Sequence, residues 1–473
     1  MMRSLFSGVA GLKTHQTKMD VIGNNIANVN TVAYKSSSVT FSELMYQTTS
    51  NASGANADTG RGGVNAKQIG LGVTTGAINT SITTAGASQS TGNPFDIRIT
   101  GDSFFIVSDG ANNYFTRAGS FYVDGAGNLA MTSNGYKVMG WQEDPNQPGV
   151  IKQDTVSPLK IMSAENMTSE PEQTTEAYIT GIIDKNSKSI SSEDGQILNI
   201  SYYDELGYSY VAKFAIYNHD AGSEDPYPDG VYRMEITDVI DSTTNKSILN
   251  ADMQIPEQIN IAGQKEVYLC YNPTTGAYVG YKVGGIPTGI DDGGLQTATD
   301  ALDNKIALHV TSAATPKDIN ISMKTSTMYD NNGTSTIYGT AGNYDGNYAG
   351  RKVGTMSGVA VQNDGKIYAT YDNGTKKLLG QISVASFSNP SGLEKVGENL
   401  YTTTMNSGQF DGIGKDVTSD GAGGLTTGVL EMSNVDLSAE FTEMITTQRG
   451  FQANSRIITV SDSMLEELTN LKR

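Results

Sequence analysis

The chain has 473 residues, enough for about two to four domains, and 53 of them are glycine. A formal net charge of −18 argues against a nucleic-acid partner, because phosphate contacts need clustered Lys and Arg, and equally against an anionic membrane surface. Only 17% of residues are charged, and no run approaches the roughly 18 apolar residues of a bilayer span, so no membrane insertion is expected and the surface is built largely from Ser, Thr, Asn, Gln and Gly.

The first twenty residues hold no continuous apolar core of the signal-peptide kind, since Gly8, Gly11, Thr14, His15, Gln16 and Lys18 interrupt it, and no cleaved export signal is expected. Leu5, Leu12, Met19 and Ile26 recur every seven residues, with Val9 and Ile22 between them. That spacing predicts a helix with a coiled-coil seam. The stretch GNNIANVNTVAYK, Gly23 to Lys35, then carries an apolar stripe (Ile26, Val29, Val32) off the helix end. Its asparagines tolerate left-handed backbone and bond turning chain, which suits a helix that stops and an arm that starts. Residues 31–92 are read as an extended arm or linker, Gly/Ala/Ser/Thr/Asn-rich from about residue 48 and with little periodicity.

From Phe95 to Trp141, short β-rich runs alternate with Gly, Asp and Asn turns, as in an antiparallel meander or barrel. GKIYATYDNGTKKLLGQISVASF, Gly365 to Phe387, repeats the theme, with Asn373-Gly374 as a hairpin signal. The two blocks, 93–148 plus 351–431, are predicted to form one β domain. Residues 149–350 would be a β-rich insertion of one or two domains, bordered by the turn-forming EDPNQPG and GNYDGNYAG.

At the other end Leu437, Met444, Phe451, Ile458 and Leu465 again recur every seven, flanked by Phe441, Ile445, Ile457 and Leu468. Ser433 or Asn434 is the expected N-cap, with Asp436 and Glu440 in the first turns. All 12 prolines lie between Pro94 and Pro390, so both ends are free to form long helices. The predicted fold is mixed and mainly β: a nested multi-domain chain with N- and C-terminal coiled-coil helices (1–30 plus 432–473) and two or three β-rich domains. Six apolar side chains on the first helix yield about 9–18 kcal/mol if fully buried. Ordering some 25 residues costs about 1–2 kcal/mol each. The terminal helices are therefore expected to be marginal alone and to gain stability in an assembly of copies. An intramolecular two-helix coiled coil capping a monomer is the alternative.

Catalytic and metal-binding patterns are not found. His15, His219 and His309 are far apart with no cysteine pairs nearby, and Cys270 is the single cysteine. GVAGLKT, Gly8 to Thr14, has the wrong spacing for a phosphate loop. DGAGN and DNNGT do not complete a calcium-loop pattern and are read as hairpin turns. No cofactor or metal is expected, and no enzymatic activity.

SLFSGVAGLKTHQTKMDVIGNNIANVNTVAYK, Ser4 to Lys35, resembles the N-terminal signature of the bacterial flagellar rod, hook and hook-associated axial proteins. The matching residues are Ser7, Gly8, Gln16, Asp20, Asn24, Asn25, Ile26, Ala27, Asn28, Thr31, Tyr34 and Lys35, and Ala33 stands where glycine is common. The C-terminal helix resembles the partner helix of that family. TRAGSFYVDGAGNL, GQISVASFSNPSGLEKVGENLY and GVLEMSNVDLS are most similar to its hook branch. The resemblance implies a structural subunit that polymerises with itself into a curved tube between rod and filament. It implies terminal helices in the inner core, the first β domain in a middle layer and the insertion outside. It also implies uncleaved export through the flagellar type III apparatus to the cell exterior. The partners would be the distal rod protein, the hook cap protein and the hook–filament junction protein. A distal rod or junction subunit is the near alternative, and a β-rich surface adhesin the distant one.

Overall fold

The proline-free ends form two long helices, α1 (Met2–Ala27) and α2 (Leu437–Asn470), in a computed structural model that describes residues 2–54, 60, 62–144, 146–220, 226–248, 259–297, 305–310, 318–419 and 423–471. α2 starts at Asp436, whose carboxylate accepts from the backbone N–H groups of Ser438 and Ala439. The N-cap is therefore neither Ser433 nor Asn434. A carboxylate there also sits favourably at the positive end of the helix dipole. No described helix is long and apolar enough to cross a membrane.

The stretch expected as an unpatterned arm is paired backbone. Ser37–Glu43 runs antiparallel to Val73–Thr80, and Tyr46–Ser50 to Lys67–Gly70, giving a β-ribbon. Its Phe41, Leu44, Met45, Tyr46, Ile69 and Ile78 remain exposed. The ribbon is covered only in part, where Phe41 meets the His15 ring of α1, so the alternation that would mark a strand beside a core is weak here.

The nesting is visible in the pairing. Ser88–Ser90 pairs with Val429–Glu431, and Ile97–Ile99 with Leu425–Thr427, so the outgoing and returning legs lie side by side. The chain divides into two units: Met1–Asn166, Gly358–Thr370 and Lys376–Arg473 in the first, Met167–Ser357 and Tyr371–Thr375 in the second. In the first, Phe104–Ser108, Asn113–Thr116, Lys137–Gln142 and Lys376–Ile382 bring Phe104, Ile106, Phe115, Met139 and Trp141 into one core. In the second, two sheets share a single core that includes Ile179, Ile200, Phe214, Leu269, Leu308 and Ile321. The insertion is one β-sandwich rather than two domains.

Its border lies at residues 166/167, later than the 149 read from the two-proline turn. Ser157–Pro158 pairs with Lys137–Gln142, and the Trp141 indole N–H donates to the carbonyls of Asp154 and Ile413. Val156, Leu159 and Ile161 are buried. The turn interrupts the first unit without ending it. Both Ca-loop-like stretches are turns: Asp124 accepts from the N–H groups of Ala126 and Asn128, and Asn331 and Gly333 donate to Asp184. Among the described residues no cluster of His, Cys, Asp or Glu could hold a metal ion. Cys270 is fully buried, and burial pushes its thiol up to about 11, which leaves an unreactive hydrophobe.

Candidate assembly site where the chain ends meet

α1 and α2 pack antiparallel. A Cβ added to Gly8 would lie 3.3 Å from Ile458, and one on Gly11 2.7 Å from the Asn454 amide. A Cβ on Gly450 would lie 2.7 Å from the His15 ring. The glycines thus let the backbones approach where the opposite helix presents Asn454 and where His15 fills the gap. The most buried helix positions are small or polar: Gly8, Gly11, Thr14 and Asn25 on α1, Thr447 and Ser461 on α2, with Ile22 the large apolar exception. His15 Nδ1 is buried without a partner, and burial, followed by the Lys18 charge, holds the imidazole below its usual pKa. A neutral ring suits this apolar setting, where it meets Phe41 edge-on at 5.4 Å.

The asparagine-rich stretch is a junction. Asn25 donates to the Ser37 carbonyl and to Glu440 Oε1, both at 2.8 Å, and accepts from the Ser37 N–H at 3.0 Å and the Tyr34 hydroxyl at 3.2 Å. All four positions of one buried amide are filled, and they join the end of α1, the start of the ribbon and the first turn of α2. Burial pushes the Glu440 carboxyl up, with the Asn25 bond opposing. Asn28 closes the helix end by donating to the Asn24 carbonyl and accepting from Thr31. Asn434 repeats the role from the other strand: its amide accepts from the Ser36 N–H and donates to the carbonyls of Ser81 and Thr84. Between them Ala33 is buried at φ +56° and donates its N–H to the Glu431 carbonyl.

Beneath lies a buried ionic cluster. Lys35 Nζ is 2.7 Å from Glu431 Oε1, and Arg117 Nε 3.2 Å from Glu431 Oε2, with all three side chains at most 1% exposed. The Gly86 N–H also donates to Glu431, and Lys35 to the Thr84 carbonyl. Burial alone would raise the Glu431 carboxyl. Arg117, Lys35 and the Gly86 N–H outweigh it and hold the group below the usual carboxylate range. Burial pulls the Lys35 ammonium down, with Glu431 opposing. One carboxylate therefore ties the signature lysine, a β-domain arginine and the strand leading into α2.

The predicted residues fall into three sets. Asn25, Tyr34, Lys35 and Ile22 are buried. Leu5, Leu12, Met19, Ile26, Asn28, Thr31, Met444, Phe451, Ile458 and Leu465 are half-buried. Val9, Gln16, Asp20, Asn24, Ala27, Leu437 and Phe441 are exposed. Apart from Ile22, which is buried, and Ile458, which lies against Gly8, the heptad residues flank the intrachain contact. Glu431, Arg117 and Asn434 complete the junction and were not singled out for it. The readable signal was Glu431 itself, a lone charge inside the apolar strand GVLEM.

Three family profiles match in chain order. "Flagella basal body rod protein" covers residues 5–35, "Flagellar hook protein FlgE/F/G D1 domain" covers 98–198, and "Flagellar basal body rod FlgEFG protein C-terminal" covers 426–471. The chain is 33% identical over 495 aligned residues to the flagellar hook protein FlgE of Treponema pallidum, covering 100% of both chains. It is equally 33% identical, at 100% coverage of both, to that of Borreliella burgdorferi. To the flagellar basal-body rod protein FlgG of Bacillus subtilis it is 28% identical over 473 residues, again at 100% of both.

Proposed function

We propose, because this chain belongs to the flagellar hook protein family, that its working form is a helical polymer of many identical copies. The chain is a structural subunit of the flagellar hook. The polymer is a curved, bendable tube that joins rod to filament and carries motor torque. It has no catalytic step. The subunit leaves the cell uncleaved through the flagellum's own export apparatus. The growing tube meets the distal rod protein at one end and the cap and junction proteins at the other. The terminal helices make the inner contacts of the tube, and unit-two contacts set how it bends.

The observation that carries this reading is the helical hairpin. Its centre is small and polar, while Val9, Leu437, Phe441, Ile445, Ile457 and Leu468 stay exposed on it. Exposed apolar flanks on otherwise polar helices favour burial against further copies. Surfaces poor in charge elsewhere exchange hydrogen bonds with water and neighbours, which lets outer contacts slide.

Electron microscopy of the concentrated, purified chain tests this. Short curved tubes of uniform width are expected, and a chain that stays monomeric at all concentrations would refute it. A rod subunit is the second reading, favoured by the full-length match to the B. subtilis rod protein. Straight tubes would select it.

A further inference from the structure

The face of α1 turned away from α2 is unused by the chain's own fold. Met2, Phe6, Val9, Lys13, Gln16 and Asp20 follow one another at steps of three or four residues and all are exposed. They lie two residues from Gly8, Gly11, His15 and Ile22, roughly opposite on the helix. α2 has a matching outward face. Arg449 and Arg456 are exposed, two residues from Thr447 and Asn454, and thus also opposite the hairpin contact. Among the described residues neither arginine enters an ion pair, and neither does Asp20 (the Lys18–Glu443 pair bridges α1 and α2 nearby).

The two faces are complementary in charge and in order. The α1 face is apolar toward its N-terminal end and polar beyond it, and the α2 face carries apolar residues on both sides of its arginines. On α1 the apolar end is N-terminal, with Met2 60%, Phe6 63% and Val9 48% exposed. On α2 Ile445, 52% exposed, precedes the arginines, and Val460 56%, Met464 43%, Leu468 48% and Leu471 81% exposed follow them. Copies in an open helical polymer share one direction, so α1 of one copy and α2 of the next run antiparallel, as they do within the chain. Set Asp20 between Arg449 and Arg456 in that sense. Equal steps back along α1 and forward along α2 then bring Val9, Phe6 and Met2 opposite Met464, Leu468 and Leu471.

We infer that the outward face of α1, centred on Asp20, docks on the Arg449/Arg456 face of α2 in a second copy of this chain. The inference rests on the homopolymer reading and supplies its contact. The two surfaces are different, so each copy offers one of each and the contact does not close on itself. Apolar ends give the attraction, and the charges fix the register.

Charge reversal in the full chain tests it. Asp20→Arg alone, and Arg449→Glu with Arg456→Glu, should each raise the critical concentration for tube formation at least about tenfold, through like charges brought face to face. The triple variant should return to within about threefold of the parent. Added salt should narrow the differences. All substituted sites are exposed, and thermal melting of the β core should match the parent in every variant. If the parent forms tubes and Asp20→Arg assembles equally well, or the triple variant does no better than its components, the pairing is wrong while the hook reading stands. A parent chain that never forms tubes would overturn both.

Discussion

Asn25 shows why this stretch is so rich in amide. A carboxamide offers two N–H donors and an oxygen with two lone pairs on one short side chain, and here three chain segments converge on one point with a carbonyl, an N–H, a hydroxyl and a carboxylate to satisfy. Ala33 at φ +56° explains why glycine is common at that position in similar sequences, since a Cβ in left-handed backbone is strained. The neighbouring ionic cluster yields the sharpest expectation. Glu431→Gln would leave Lys35 and Arg117 buried without a counter-charge and should cost about 3–5 kcal/mol. Lys35→Met leaves the Arg117–Glu431 contact and should cost less. The pH sign follows from the direction of the Glu431 shift. A carboxyl held below its ordinary range stabilises the fold above about pH 4.3, its unfolded value, and the contribution is lost as pH falls through the lower folded pKa. Denaturant melts of unit one from pH 7 downward should therefore show a loss in the parent that is reduced in Glu431→Gln. An unchanged acid limb would show that Glu431 is not the linked group. The signature marked Asn25, Tyr34 and Lys35 as important, yet the carboxylates that two of them meet, Glu440 and Glu431, lie hundreds of residues away, and no local pattern connects Lys35 to Glu431.

The helices were legible because a seven-residue apolar recurrence without proline has few other outcomes. Which face meets which was not. Heptad reasoning assigns the seam to the large apolar residues, whereas close helix approach is set by where the side chain is absent, at Gly8, Gly11 and Gly450. The ribbon is illegible for the opposite reason: α1 covers it only in part, at Phe41 against His15, and most of it stays exposed, so burial imposes little period on it. With so little apolar area at its centre, the hairpin should be marginal in a monomer. Limited proteolysis of dilute chain should remove roughly 30–70 N-terminal and 40–50 C-terminal residues and leave the β units, and protection of both ends in a verified monomer would contradict this. Gly11→Leu sharpens the test. A leucine there meets the half-buried Asn454 side chain at once and adds a branched group beyond it, which displaces Asn454 and pushes the helices apart. Tubes should be lost while the β units melt at the parent temperature, and normal assembly would show that the hairpin opens in the polymer.

The nested path lets one unit be removed without cutting the core of the other. The core clusters of the two units share no residue: Trp141 and its neighbours form one, Phe214 and its neighbours the other. Where to cut is what the sequence misplaces. EDPNQPG holds two prolines and reads as a border, but the chain that follows returns Val156, Leu159 and Ile161 to the first core. Composition registers a turn and cannot tell whether the next apolar residues belong to the old core or a new one. Two deletions separate the possibilities. Joining Glu143 to Gly350 through a short Gly-Ser linker strips those three residues, along with the Asp154 carbonyl that accepts from the Trp141 indole. Losing three buried aliphatic side chains at about 2–5 kcal/mol each is comparable to the whole stability of a domain, so this chain should not fold. Joining Asn166 to Gly358 keeps them, and leaves only the short Tyr371–Thr375 hairpin turn from the other unit. That chain should fold, bury Trp141 and still form or enter tubes, because both terminal helices and the junction at Asn25 and Glu431 are intact. Its tubes should be straighter and mechanically altered, since contacts between copies of the removed unit are the ones assigned to bending. Electron microscopy of the two polymers under identical conditions, with Trp141 fluorescence as the folding check, measures this. A folded Asn166–Gly358 chain that never polymerises would mean that the insertion holds the tube together, and the division of labour between hairpin and insertion would have to be reversed.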